Sequence, residues 1–118
     1  MMGPMTLGID IAVEHFEHCE VVRIHGRLDA LTALSLEKTL DALRARGRLR
    51  LVMDFAAVDY LSSAGMRVLL STAKKLRMRG GDCFFCSIND NVKEIIKVAG
   101  FEKILAIYPT ESEALAAV

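Results

Sequence analysis

Tryptophan is absent from this sequence, proline occurs twice, and the 3 cysteines are too few and too odd in number for a disulfide framework. Net charge is missing too, because 15 basic side chains balance 15 acidic ones. Each shortage excludes something. A nucleic-acid binder needs a basic footprint, so no direct nucleic-acid partner is expected. The arginines that do gather, Arg44, Arg46, Arg48 and Arg50, lie around a predicted helix end, where cations complement the helix dipole. Sparse cysteines fit reduced thiols. No stretch approaches the roughly 18 consecutive apolar residues of a membrane span. The opening "MMGPMTLG" has neither the charged nor the apolar region of a signal peptide. A cytoplasmic chain without a membrane partner is the expectation.

What the sequence does have is apolar mass. Hydrophobic residues make up 53% of 118 positions, and a domain of this length buries about two-thirds of its unfolded surface. Residues 8–14, "GIDIAVE", alternate as a half-buried strand should. "CEVVRIHG" reads as a second strand, joined to the first by the polar "HFEH" in a hairpin. Capping side chains from Asp29 to Thr32 then open a helix that runs to Arg46. Its apolar stripe is Ala33, Leu36, Leu40 and Leu43, and Gly47 closes it. "LRLVMDF" (49–55) is short and nearly all apolar, which suits a strand covered on both faces.

A second helix is predicted from about Ala64 to Arg79, with Leu69, Ala73 and Leu76 facing the core. "CFFCSI" is a strand, "NDNVKEIIKVAG" a short helix with Val92, Ile95, Ile96 and Ala99 on one face, and "KILAIY" a last strand. "TESEALAAV" closes the chain as a helix begun by a Thr-x-x-Glu capping box. Helices alternating with apolar strands imply a mainly parallel sheet with right-handed crossovers. The expected fold is a single α/β domain: about five strands, mostly parallel, with an antiparallel N-terminal edge hairpin and about four helices.

Catalytic constellations are scarce. Cys83 and Cys86 have C-x-x-C spacing, but on a strand positions three apart face opposite sides, so they read as buried structural thiols. His15, His18 and His25 all fall in the first hairpin, where metal ligation is the weaker reading against exposed side chains. A nucleophile elbow needs G-x-S-x-G, and "YLSSAGM" lacks the first glycine with no histidine after it. Neither a P-loop nor G-x-G-x-x-G is present. No enzyme activity and no cofactor is expected.

The informative stretch is "VDYLSSAGMRVLL" (58–70). Either Ser62 or Ser63 can cap the helix that follows. A hydroxyl at a helix N-terminus is also exposed, and a phosphate placed there would be favoured by the dipole. Capping and switching are compatible.

Together with the element order, "GRLDALTA" (26–33), "LVMDFAAVDYLSSAGMRVLL" and "VKEIIKVAGFEKILAIY" resemble the bacterial anti-sigma factor antagonists. These are STAS domains, the stage II sporulation protein AA type being the best known. The resemblance covers nearly the whole chain, residues 7–117. It implies a non-enzymatic protein that binds an anti-sigma factor serine kinase of the GHKL type and so releases a sigma factor. The kinase ends that binding by phosphorylating a serine of an Asp-Ser-Ser/Thr-Gly motif, and a PP2C-type phosphatase restores it.

Carried over by position, Ser63 matches the phosphorylated serine and Gly65 the motif glycine. Ser62 stands where the family has aspartate and is the fallback acceptor; Ala64 stands where it has the second hydroxyl. Asp29 matches an aspartate placed beside the acceptor, and Asp54 a polar position closing the central strand. Met66 and Arg67, in the first turn, would add an apolar knob and a cation to a partner surface made of Asp29, Ser62, Ala64 and Gly65. The changed motif keeps a second possibility open: a constitutive, never phosphorylated STAS module in a signalling scaffold or lipid-transport complex. A small hydrolase using Ser63 is a third, without a base or a phosphate loop to support it.

Overall fold

The computed structural model describes residues 8–118. The opening seven residues, on which the signal-peptide reading and the domain's first residue fall, lie outside the described part. Nine elements follow in chain order: β1 (Ile9–His15), β2 (Glu20–Leu28), α1 (Thr32–Ala45), β3 (Arg50–Leu61), α2 (Ser63–Arg77), β4 (Asp82–Cys86), α3 (Asp90–Val98), β5 (Ala106–Tyr108) and α4 (Glu111–Ala117).

The strands form one five-stranded sheet in the order β1-β2-β3-β4-β5. β1 is antiparallel to β2, and every later pairing is parallel. The expected mixed α/β sheet is thus the observed one. Because the sheet grows in one direction, crossovers of one hand put their helices on one face. α1, α2 and α3 lie there, burying Leu36, Leu40 and Leu43, Leu69 and Leu76, and Val92 and Ile96 against Met53, Phe55 and Phe85. α4 alone covers the other face, setting Ala114 against Val21, Val52, Phe84 and Cys86. The two thiols of the C-x-x-C stretch therefore enter different cores, Cys83 the first and Cys86 the second. Burial pushes both up, Cys83 to about 12 and Cys86 to about 11.

Four sequence expectations are corrected. β3 runs to Leu61 instead of stopping at Phe55. Its pairing with β2 shifts register twice, between Arg23 and His25 and between Gly26 and Arg27. Each shift inserts a residue and breaks the period-two pattern that marks a strand, so "AAVDYL" does not read as one. Asp54 consequently lies within β3 and does not close it. β5 is only Ala106–Tyr108, because Ile104 and Leu105 turn back to bond the carbonyl of Phe101. On α3, Ala99 is exposed, while Val92 and Ile96 are buried.

Candidate functional site

The parallel strands β2 and β3 end side by side, at Leu28 and Leu61. The chain leaves each into a helix, so the starts of α1 and α2 share one end of the sheet. A hydrogen bond ties the end of β2 to the start of α2, the Ser62 amide donating to the Leu28 carbonyl at 2.8 Å. Gly65 makes the approach possible: a Cβ there would stand 3.0 Å from that same carbonyl.

The two serines divide their duties. Ser62 is the N-cap, extended in backbone, its Oγ accepting from the Gly65 amide at 3.1 Å. It is half-buried. Ser63 is the first residue of α2, one earlier than the sequence pattern placed the helix start. Its side chain is exposed and, among the described residues, takes no hydrogen-bond partner. Ala64 beside it is partly covered.

Gly65 and Met66 are not surface residues. Met66 is 5% exposed and belongs to the main core, so it is no projecting knob. It is part of the floor of a groove of about 470 Å³ lined also by Tyr60, Ser62, Ser63, Arg67, Leu70 and Phe101. α3 supplies the far wall through Ile95, with Ala99 at its end. α3 is itself fixed to β3, because the Asn89 side chain donates to the Val58 carbonyl at 2.7 Å and caps Val92 at 2.8 Å. Arg67 is exposed at the groove's edge. The Arg27 guanidinium lies 4.4 Å over the Tyr60 ring, a cation–π contact.

Asp29 stands next to Leu28, so it is at this end of the sheet, but its Oδ1 serves α1. That oxygen accepts from the amides of Leu31 and Thr32, at 3.0 and 2.9 Å. The Thr32 amide bond is the foremost reason its carboxyl sits below the usual range. Asp54 is elsewhere. It pairs with Arg23, which also binds Glu14 and Glu111 and so joins β1, β2, β3 and α4.

Sequence reasoning missed two parts of this surface. Leu31 and Leu34, 57% and 56% exposed, open α1 beside Asp29. Both fall off the buried stripe Ala33, Leu36, Leu40, Leu43, and that misfit was the available signal. The groove itself has no linear signal, since α2 and α3 meet only in the fold. The histidines lie elsewhere: His15 binds the buried Glu20, and His18 approaches Glu17 at 4.0 Å. Among the described residues no group of three His, Cys, Asp or Glu could hold a metal, and no helix is long and apolar enough to cross a membrane.

Comparison with known proteins places this arrangement. The model of the STAS domain family matches residues 10–114. BtrV of Bordetella bronchiseptica, provisionally named an anti-sigma factor antagonist, is 35% identical over 94 residues, 80% of this chain and 81% of that one. The anti-sigma F factor antagonist of Paenibacillus polymyxa is 28% identical over 110 residues, 92% of this chain and 94% of its own. A crystal structure of an anti-sigma factor antagonist from Mycobacterium paratuberculosis is similar at 32% identity and a TM-score of 0.85, covering 93% of each chain.

Proposed function

This chain belongs to the STAS domain family, and on that premise we propose that it is an anti-sigma factor antagonist switched by phosphorylation of Ser63. In the unmodified state the end of the sheet that carries the groove docks on an anti-sigma factor, a serine kinase of the GHKL type, and a sigma factor is set free. The γ-phosphoryl group of ATP then passes to the Ser63 Oγ as the hydroxyl proton leaves, and ADP departs. A PP2C-type phosphatase hydrolyses the ester and returns the serine.

One observation carries this reading: the cap and the acceptor are different serines. Ser62 has a structural bond to keep, whereas the Ser63 hydroxyl is exposed and has none among the described residues. Modifying Ser63 therefore leaves the N-cap in place. α2 has no acidic residue in its first turn and has Lys74, Lys75 and Arg77 in its last, so its N-terminus accommodates added negative charge. The phosphate adds close to two negative charges to a groove whose described lining residues include no carboxylate. A partner that fitted the uncharged surface is repelled, while the fold persists. Asp29, Ala64 and Arg67 border Ser63 on this docking surface, and Gly65 and Met66 shape it from beneath. The serine is the kinase's substrate, not a catalytic residue of this chain.

The test is incubation with the kinase of the same organism and ATP, followed by intact-mass and peptide analysis. One phosphate on Ser63, lost in Ser63→Ala and kept in Ser62→Ala, is the expected result. Ser63→Asp should weaken the complex with the anti-sigma factor, and Ser63→Ala should hold it in the presence of ATP. An unmodified Ser63 overturns the switch and leaves the constitutive interaction module in its place.

A further inference from the structure

Among the residues lining the groove there is one cation, Arg67. It is exposed and, among the described residues, makes neither an ion pair nor a side-chain hydrogen bond. A free cation at the edge of an apolar groove invites the question of what anion it meets.

Its position on α2 suggests the answer. Arg67 follows Ser63 by four residues, and both line the same groove. Residues four apart share a helix face, with Cβ atoms about 5–6 Å apart. Cα–Cβ bonds tilt toward the helix N-terminus, so a long side chain leans back over the preceding turn. The guanidinium of Arg67 can therefore lie over the Ser63 hydroxyl. Of the charged residues at this end of the sheet, Arg27 lies on Tyr60, Asp29 accepts from the Leu31 and Thr32 amides, and Asp59 is exposed but does not line the groove. On the α3 side the described residues that line the groove are Ile95, Ala99 and Phe101, none of them charged.

We propose that Arg67 is the internal counter-ion of phosphorylated Ser63. Phosphate and guanidinium form a bidentate, charge-assisted pair within one turn of α2. Phosphorylation then does two things at once: it adds negative charge and withdraws from any partner the one cation that lines the groove among the described residues. The carboxylate of Ser63→Asp is shorter and lacks the third oxygen, so it reproduces the first effect better than the second. This inference rests on Ser63 being the acceptor.

The test separates the two claims. Phosphoserine is installed at position 63 during translation, so no kinase is needed. The second ionisation of the phosphate, near pH 6 in a free phosphoserine, is then followed by phosphorus NMR. Arg67→Gln should raise the apparent pKa by about half a unit, as befits an exposed pair. Arg67→Lys should restore part of the difference, and high salt should shrink it. The helix N-terminus is common to every variant and cancels. Identical titrations for wild type and Arg67→Gln overturn the pairing. So does an equal shift in Lys74→Gln, a cation about three turns from Ser63 along α2, because the effect would then be a diffuse field. Failure of the kinase to modify Ser63 is read separately, by mass, and leaves this titration unaffected.

Discussion

The Ser62 amide donates to the Leu28 carbonyl across 2.8 Å, and this single backbone bond sets the end of β2 against the start of α2. Whatever docks on Ser63 meets a surface whose geometry depends on that closeness. The glycine three residues on is what permits it. A Cβ at Gly65 would lie 2.9 Å from Leu61 Cδ1, 3.0 Å from the Leu28 carbonyl oxygen and 3.1 Å from Leu28 Cβ. The leucine tip can swing aside, but the carbonyl is backbone and cannot. Gly65→Ala should cost about 1–3 kcal/mol, the range for overpacking. Urea unfolding should show a lower midpoint with an unchanged slope, and a variant as stable as wild type would contradict the close approach.

The division of labour between the serines is open to the same measurement. Ser62→Ala removes the acceptor of the Gly65 amide and should destabilise by about 1 kcal/mol. Ser62→Asp keeps an N-cap acceptor and should recover most of that loss. Ser63→Ala should change stability by less than about 0.5 kcal/mol, as an exposed substitution. Equal losses at the two positions would mean that the capping role is shared.

Arg23 holds three carboxylates, Glu14 at 2.8 Å, Asp54 at 3.0 Å and Glu111 at 2.6 Å. Arg23→Met leaves those carboxylates to repel one another at the seam between the sheet and α4. The arginine is 36% exposed, so solvent screens the loss, and about 1–2 kcal/mol is expected. A double-mutant cycle with Glu111→Gln should give a coupling of about 0.5–1 kcal/mol that falls as salt is raised. Strict additivity would show that α4 is held by its apolar contacts alone.

Asp29 links the start of α1 to pH. Its carboxyl is held below the usual range, first by the Thr32 amide and then by the Thr32 hydroxyl and Leu31 amide. A depressed folded value means that its stabilising contribution is present above the ordinary carboxylate range, about 4. That contribution is lost as pH falls through the folded value. Asn still caps a helix but does not ionise, so Asp29→Asn should flatten the fall in unfolding free energy on the acid side. Parallel curves for the two proteins, measured from neutral pH down to about 3, would remove Asp29 from the acid response.

Much of this architecture was legible beforehand because its determinants are local. Ala33, Leu36, Leu40 and Leu43 repeat at helical spacing, and all four are buried. Thr110 caps α4 by accepting from the Glu113 amide, as the capping-box spacing implies. The second half of β3 was hidden by its two bulges, a property of its pairing with β2 and not of its own composition. Met66 was misjudged for a related reason. The first turn of a helix is ordinarily solvated, but here the bond from Ser62 to Leu28 draws that turn against β2. The groove was out of reach altogether, since Met66 and Ile95 come from helices brought together only by the sheet face on which both pack.

The order of the strands has a consequence for synthesis. Each strand pairs with the one before it in the chain, so no strand has to wait for a later one to be inserted between itself and its predecessor. A sheet of this kind can be laid down by accretion as the polypeptide emerges from the ribosome, without long-range threading. The wall supplied by Ile95 and Phe101 is then the last part of the groove to leave the ribosome. A nascent chain arrested before it would present Ser63 without the surface that gives the serine its meaning.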